Sequence, residues 1–166
     1  MNHAALLPGP PLGRWLAREL EVVGETRRVG LWLAALGGAG LYGREAVAAL
    51  DGLDLRPIER AQDLVEDEPF GALVVVTPLG DDVAVPSSVF AALAAGAAVI
   101  EIAHPPAWRL REVVWPWARW ERQRWAIERR ARAWALAGAY ALRQWSPLEP
   151  EGLVVTEGRR RAIPAR

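Results

Sequence analysis

Few side chains in this 166-residue sequence could carry out chemistry, and their spacing is loose. His104 precedes Pro105 and Pro106 at the end of an apolar run, where an imidazole can act as a general base on a ligand held at the carboxyl end of a strand. In a plain surface turn the same histidine would be inert. Asp81 and Asp82 follow another apolar run; they can hold substrate hydroxyls or a metal, or stay solvated and cap the next helix. The third group is a glycine cluster, Gly37, Gly38, Gly40 and Gly43, followed directly by helix-forming residues. Helix N–H groups and the positive end of the helix dipole then face the turn, where an anionic group or a polar cofactor can sit. Glu59 stands about 20 positions beyond the glycines, where an acidic side chain commonly accepts the ribose hydroxyls of a nucleotide. A tight turn that lets a helix pack closely on a strand would use the same glycines.

Composition removes several chemistries. Cysteine is absent, which excludes disulfides, thiolate metal sites and a cysteine nucleophile, and no dedicated metal centre is expected. Lysine is absent as well, so a phosphate-loop lysine, a Schiff-base lysine and a Tyr-x-x-x-Lys pair cannot occur. The length suits one domain spanning residues 1–166, and 52% apolar with 24% charged residues describes a soluble globular chain. No apolar run reaches the length of a membrane span and the N-terminus has no leader pattern, so a cytoplasmic location is expected. The formal net charge of zero hides a dipole: 7 Arg against 14 Asp and Glu up to Pro106, then 13 against 6 from Ala107 onward. Such asymmetry can steer an anionic partner to the second half, or the halves can simply neutralise each other.

These groups must be positioned by strands and helices that the hydrophobic pattern outlines. Residues 1–13 read as an irregular Pro/Gly-rich arm, and 11–24 place Leu12, Trp15, Leu16, Leu20 and Val23 on one side of an amphipathic helix that covers a sheet face. Residues 29–34 form a strand apolar on both faces, followed by the glycine turn, a helix over about 41–50, and a short strand over 53–58. The clearest strand is GALVVVTP, 71–78. A helix over 89–95 stopped by Gly96, and a buried strand over 98–102, complete a mostly parallel sheet with flanking helices, a Rossmann-like α/β fold. Residues 139–145 and 152–156 predict an antiparallel hairpin joining the sheet edge, and residues 158–166 a solvated basic tail.

Between these elements, Pro116 opens a long helix to about residue 137. Trp117, Trp120, Ile127, Ala131 and Trp134 fall on one side of it, with Arg119, Arg122, Arg129 and Arg130 opposite and Trp125 toward the charged side. A core-facing aromatic stripe with an arginine exterior is the simpler reading. The functional reading is a contact surface for a protein partner or a second copy, with nucleic acid or an anionic membrane surface less favoured; exposure of Trp125 and Trp108 would support a surface of this kind.

The order strand, glycine turn, helix, strand, acidic residue, two further strand and helix units, long helix and closing hairpin resembles that of class I S-adenosylmethionine (SAM)-dependent methyltransferases. GGAGLYGREAVAAL resembles their cofactor loop and first helix, and AGAYALRQWSPLEPEGLVVTEGRR is similar to their terminal strand pair. The resemblance implies SAM as cofactor, with Gly37, Gly38 and Gly40 at the cofactor turn, Glu59 on the ribose, and Thr77, Pro78 and Leu79 lining the methyl-donor pocket. Ala34 stands where the family has an acidic residue and Leu36 where it has its first glycine. Two other patterns compete. Gly38-x-Gly40-x-x-Gly43 fits an NAD(P)-binding turn, and FGALVVVTPLGDDVAVPSSVFAALAAGAAVIEIAHPP is similar to the nucleotide domain of Gfo/Idh/MocA-type oxidoreductases, though nothing after residue 106 is long enough for their substrate domain. A RecA-like remnant without a phosphate loop, as in SulA-type proteins, would share the sheet.

Overall fold

The computed structural model describes residues 7–24, 28–33, 48, 50–58, 69–78, 87–104, 113–147 and 153–161. Its elements are β1 (Leu7–Gly9), α1 (Leu12–Gly24), β2 (Val29–Leu33), β3 (Arg56–Pro57), β4 (Phe70–Pro78), α2 (Ser87–Ala91), β5 (Leu93–His104), α3 (Pro116–Leu136), β6 (Ala139–Pro147) and β7 (Val154–Arg160). The strands join one sheet in the order β1-β6-β7-β5-β4-β2-β3, and only β7 runs against the others.

Strand β4 is apolar on both faces because both are covered. Ala72, Val74 and Val76 pack with Leu12, Trp15, Leu16 and Leu20 of α1, whose three- and four-residue spacing puts them on one stripe. Leu73 and Val75 look the other way, into a layer with Val89 and Phe90 of α2 and Trp134 of α3. The expected Rossmann-like sheet and the covering role of the first helix are both present. Helix α3 starts at Pro116 and stops where Gly138 takes a φ of 87°, a left-handed turn that lets its N–H reach back to Ala135 O at 3.3 Å.

Four local expectations are corrected. The helix expected over 89–95 ends at Ala91: Leu93 already pairs with Phe70, and the next register pair is Ala72 with Ala98, so residues between them bulge with Gly96 at φ 74°. Alanine-rich sequence favours helix locally, but pairing with β4 wins. Residues 7–9 of the arm form β1, which pairs in parallel with β6. Trp145 lies so close that any side chain on Gly9 would run into its indole ring, and Trp15 meets the same ring edge-on at 4.9 Å. The hairpin joins the parallel strands through β7, which pairs with β5, but β6 is not the outer strand, because β1 lies beyond it. The start of the basic tail is tied down: β7 runs to Arg160, whose side chain donates to Ala91 O at 2.9 Å, while Arg159 donates to Gly96 O at 3.4 Å.

Candidate functional site

Strands β2, β3, β4 and β5 are parallel, so their carboxyl ends share one edge. The chain leaves β2 toward β3 on one side and continues to β4 and β5 on the other, so the strand order reverses between β2 and β4. Ligands bind at such reversals, outside the carboxyl ends. Each candidate group starts from this edge: the glycine segment follows Leu33, and Glu59 follows Ile58, whose N–H is bonded to Leu31 O at 2.8 Å. Pro78 and His104 end β4 and β5 and are register partners, so the backbone brings these two candidates side by side. Gly37, Gly38, Gly40, Glu59 and Asp81, as well as Trp108, lie outside the described residues. Trp32, one residue before the end of β2, carries a buried indole N–H with no partner among the described residues.

Beneath α3 lies a polar cluster that the hydrophobic pattern did not reveal. The Thr77 hydroxyl donates to Glu101 Oε1 at 2.8 Å, and the Arg130 guanidinium donates to both Glu101 Oε1 and Thr77 Oγ1. Thr77 is fully buried and Glu101 is 1% exposed; its second oxygen, Oε2, has no hydrogen-bond partner among the described residues. Across the sheet Glu101 is in register with Thr156 of β7, and Thr156 with Gln144 of β6, whose amide donates to the threonine hydroxyl at 3.4 Å. A signal was available: Glu101 is an acid in the middle of AAVIEIAH, and a carboxylate on a covered strand demands a cationic partner. The resemblance implies that Thr77 lines the methyl-donor pocket together with Pro78 and Leu79; its hydroxyl instead belongs to this buried cluster.

Arg130 therefore does not lie on the outer side of the long helix. The face that meets the sheet is Ala126, Arg130 and Trp134, spaced by four, with Ile127 and Ala131 partly buried beside it. The helix is turned by about 85° from the phase that its tryptophans suggest. Trp117, expected in the core, is 61% exposed, and so is Trp125. Among the described residues no group of three or more acidic or histidine side chains could hold a metal ion, and no helix is long and apolar enough to cross a membrane.

A Rossmann-like sheet with a strand reversal beside β2, closed by an antiparallel strand between β5 and β6, has a class I methyltransferase-like fold. Among solved structures, the O-methyltransferase from Bacillus cereus in complex with SAH matches with a TM-score of 0.50 at 15% identity, over 96% of this chain and 84% of that one. Cofactor-bound Rv0187 from MTB matches at 0.48 and 15% identity, over 90% and 80% of the two chains. The magnesium protoporphyrin IX methyltransferase of Synechocystis PCC 6803 with bound SAH matches at 0.44 and 12%, over 90% and 80%. No family model matches the sequence, and neither does any curated protein.

Proposed function

We propose that this chain is a SAM-dependent methyltransferase-like protein that binds SAM at the carboxyl edge of β2 and β3. The observation that carries this reading is the strand reversal between β2 and β4, in a fold shared with an O-methyltransferase in complex with SAH. The residues at hand fit such a group in part. The glycine segment and Glu59 both follow the strand ends at the edge where the reversal lies, and the indole N–H of Trp32, without a partner among the described residues, supplies a buried donor near that edge. The acidic residue that would face the methionine ammonium group is replaced by Ala34, so the amino-acid end of SAM must be held by other groups.

When bound, SAM supplies an electrophilic methyl group. Gly38 and Gly40, with Gly37 before them, would let the cofactor approach the backbone, and Glu59 would accept the ribose hydroxyls. The acceptor would lie against the ends of β4 and β5, near Pro78, Asp81 and His104. Transfer to a good nucleophile needs mainly alignment of donor and acceptor; a poor one also needs a base, for which His104, at the end of β5, is a candidate.

Titration calorimetry with SAM, SAH and NAD(P)H tests this. SAM and SAH should bind, NAD(P)H should not, and Glu59→Ala should weaken SAM by about tenfold to a hundredfold, the loss of a charge-assisted hydrogen bond. Absence of SAM and SAH binding overturns the reading and leaves the fold as a scaffold.

A further inference from the structure

We propose that Arg130 is a positioning residue for the candidate site: acting through Glu101 and Thr77, its guanidinium holds the ends of β4 and β5 in one setting against α3. The inference rests on the reading of this edge as a SAM site. Those ends carry Pro78 and His104, which are register partners. Helix α3 runs away from the carboxyl edge. Its Ala126 packs with Ala103 and Val154, and Ala103 is the register partner of Thr77. One turn further on comes Arg130, and after another turn Trp134 stands over Gly158, whose partner is Val99. The cluster therefore lies just inside the edge, with Thr77 adjacent to Pro78 and Glu101 about 10 Å of strand before His104.

Local chemistry makes a polar tie useful at this point. Pro78 has no N–H to give to a neighbouring strand, so Thr77 is the last residue of β4 with a complete set of hydrogen-bonding groups. Its hydroxyl donates to Glu101 and accepts from Arg130, which fixes the rotamer from two sides. The buried neighbours Ala126 and Trp134 set how near α3 comes to the sheet, but apolar contact has no direction and does not set the roll of the helix. The stripe that the tryptophans define lies about 85° from the face that meets the sheet, so apolar patterning does not select the observed roll either. Donor and acceptor atoms do, since a hydrogen bond weakens steeply away from its preferred angle. Stability gives little reason for such a pair, because apolar side chains of similar volume in place of a buried ion pair are often neutral or better. Alignment gives one. A misplacement of about 1 Å caused at a distance from the chemistry can cost about a hundredfold in rate, and Pro78 and His104 stand directly beyond the cluster.

The full chain and its double variant Arg130→Met/Glu101→Leu are compared by urea unfolding, by titration calorimetry with SAH and by amide hydrogen exchange. At a urea midpoint near that of the wild type, SAH should bind about tenfold more weakly, and exchange should quicken at residues 76–77 and 102–104 while residues 72–74 stay protected. Thr77→Val keeps the ion pair and removes only the hydroxyl; it should weaken SAH about threefold or more, whereas Thr77→Ser, which restores the hydroxyl, should bind as the wild type does. This second comparison decides the matter if the double variant fails to fold. Wild-type SAH affinity in Thr77→Val and in a folded double variant overturns the inference alone and leaves the cluster a purely structural one. A wild-type chain that binds neither SAM nor SAH overturns the reading of the site, and the inference falls with it.

Discussion

Arg130→Ala is expected to lower the unfolding free energy by about 3–5 kcal/mol, a large share of the total for a chain of this size. The substitution leaves the Glu101 carboxylate under α3 with the Thr77 hydroxyl as its donor and with Oε2 lacking a hydrogen bond among the described residues. A buried charge without its counterion is among the few single changes that cost this much, whereas the intact pair roughly breaks even against apolar residues of similar size. Two further outcomes distinguish this cause from lost packing. Glu101→Ala should cost less, because the Arg130 side chain is already 15% exposed and can turn toward water, while the buried Glu101 side chain cannot. The double variant Arg130→Met/Glu101→Leu should recover most of the loss of Arg130→Ala. Urea unfolding of the four proteins gives the comparison; a loss below about 1 kcal/mol for Arg130→Ala would put the pair among exposed ion pairs of little weight.

The same cluster shows where the sequence was readable and where it was not. Strand β4 could be read because GALVVVTP contains everything that determines it: a β-branched run, apolar on both faces, bounded by Gly and Pro. The opening of α3 could be read because Pro116 is a local signal. The phase of α3 could not, since the spacing of its tryptophans points them toward the core. In fact an arginine takes the central position, because the strand opposite carries Glu101. That requirement lies 29 residues away in sequence. The insertion of β7 between β5 and β6, and the pairing of β1 with β6, are equally non-local, and no periodicity within a segment encodes them. For the candidate site, the parallel edge follows from alternating strands and helices, and the register of Pro78 with His104 makes that edge concrete. The glycine turn, Glu59 and Asp81 rest on sequence and resemblance alone.

Gly158→Ala is the second large expected effect. A Cβ at position 158 would collide with Tyr140 O of the neighbouring strand β6 and would stand 2.6 Å from Cζ3 of Trp134. The first obstacle is backbone, fixed by the register of Ala141 with Gly158, so it cannot rotate away. The second is an indole that is 3% exposed and held edge-on against Phe90 at 6.3 Å. Either β6 must separate from β7 or α3 must rise from the sheet, at a cost of about 1–3 kcal/mol for an overpacked core and toward the upper end where backbone is involved. Trp134 and Arg130 lie one turn apart on the same face of α3, so lifting the helix also draws the guanidinium away from Glu101. The near-ultraviolet circular dichroism of Trp134 should weaken along with stability. In Trp134→Leu, which removes the ring but not the Tyr140 carbonyl, Gly158→Ala should remain costly. A wild-type urea midpoint for Gly158→Ala would mean that β6 and α3 can yield at this point, and that the close approach of helix to sheet does not depend on the missing side chain.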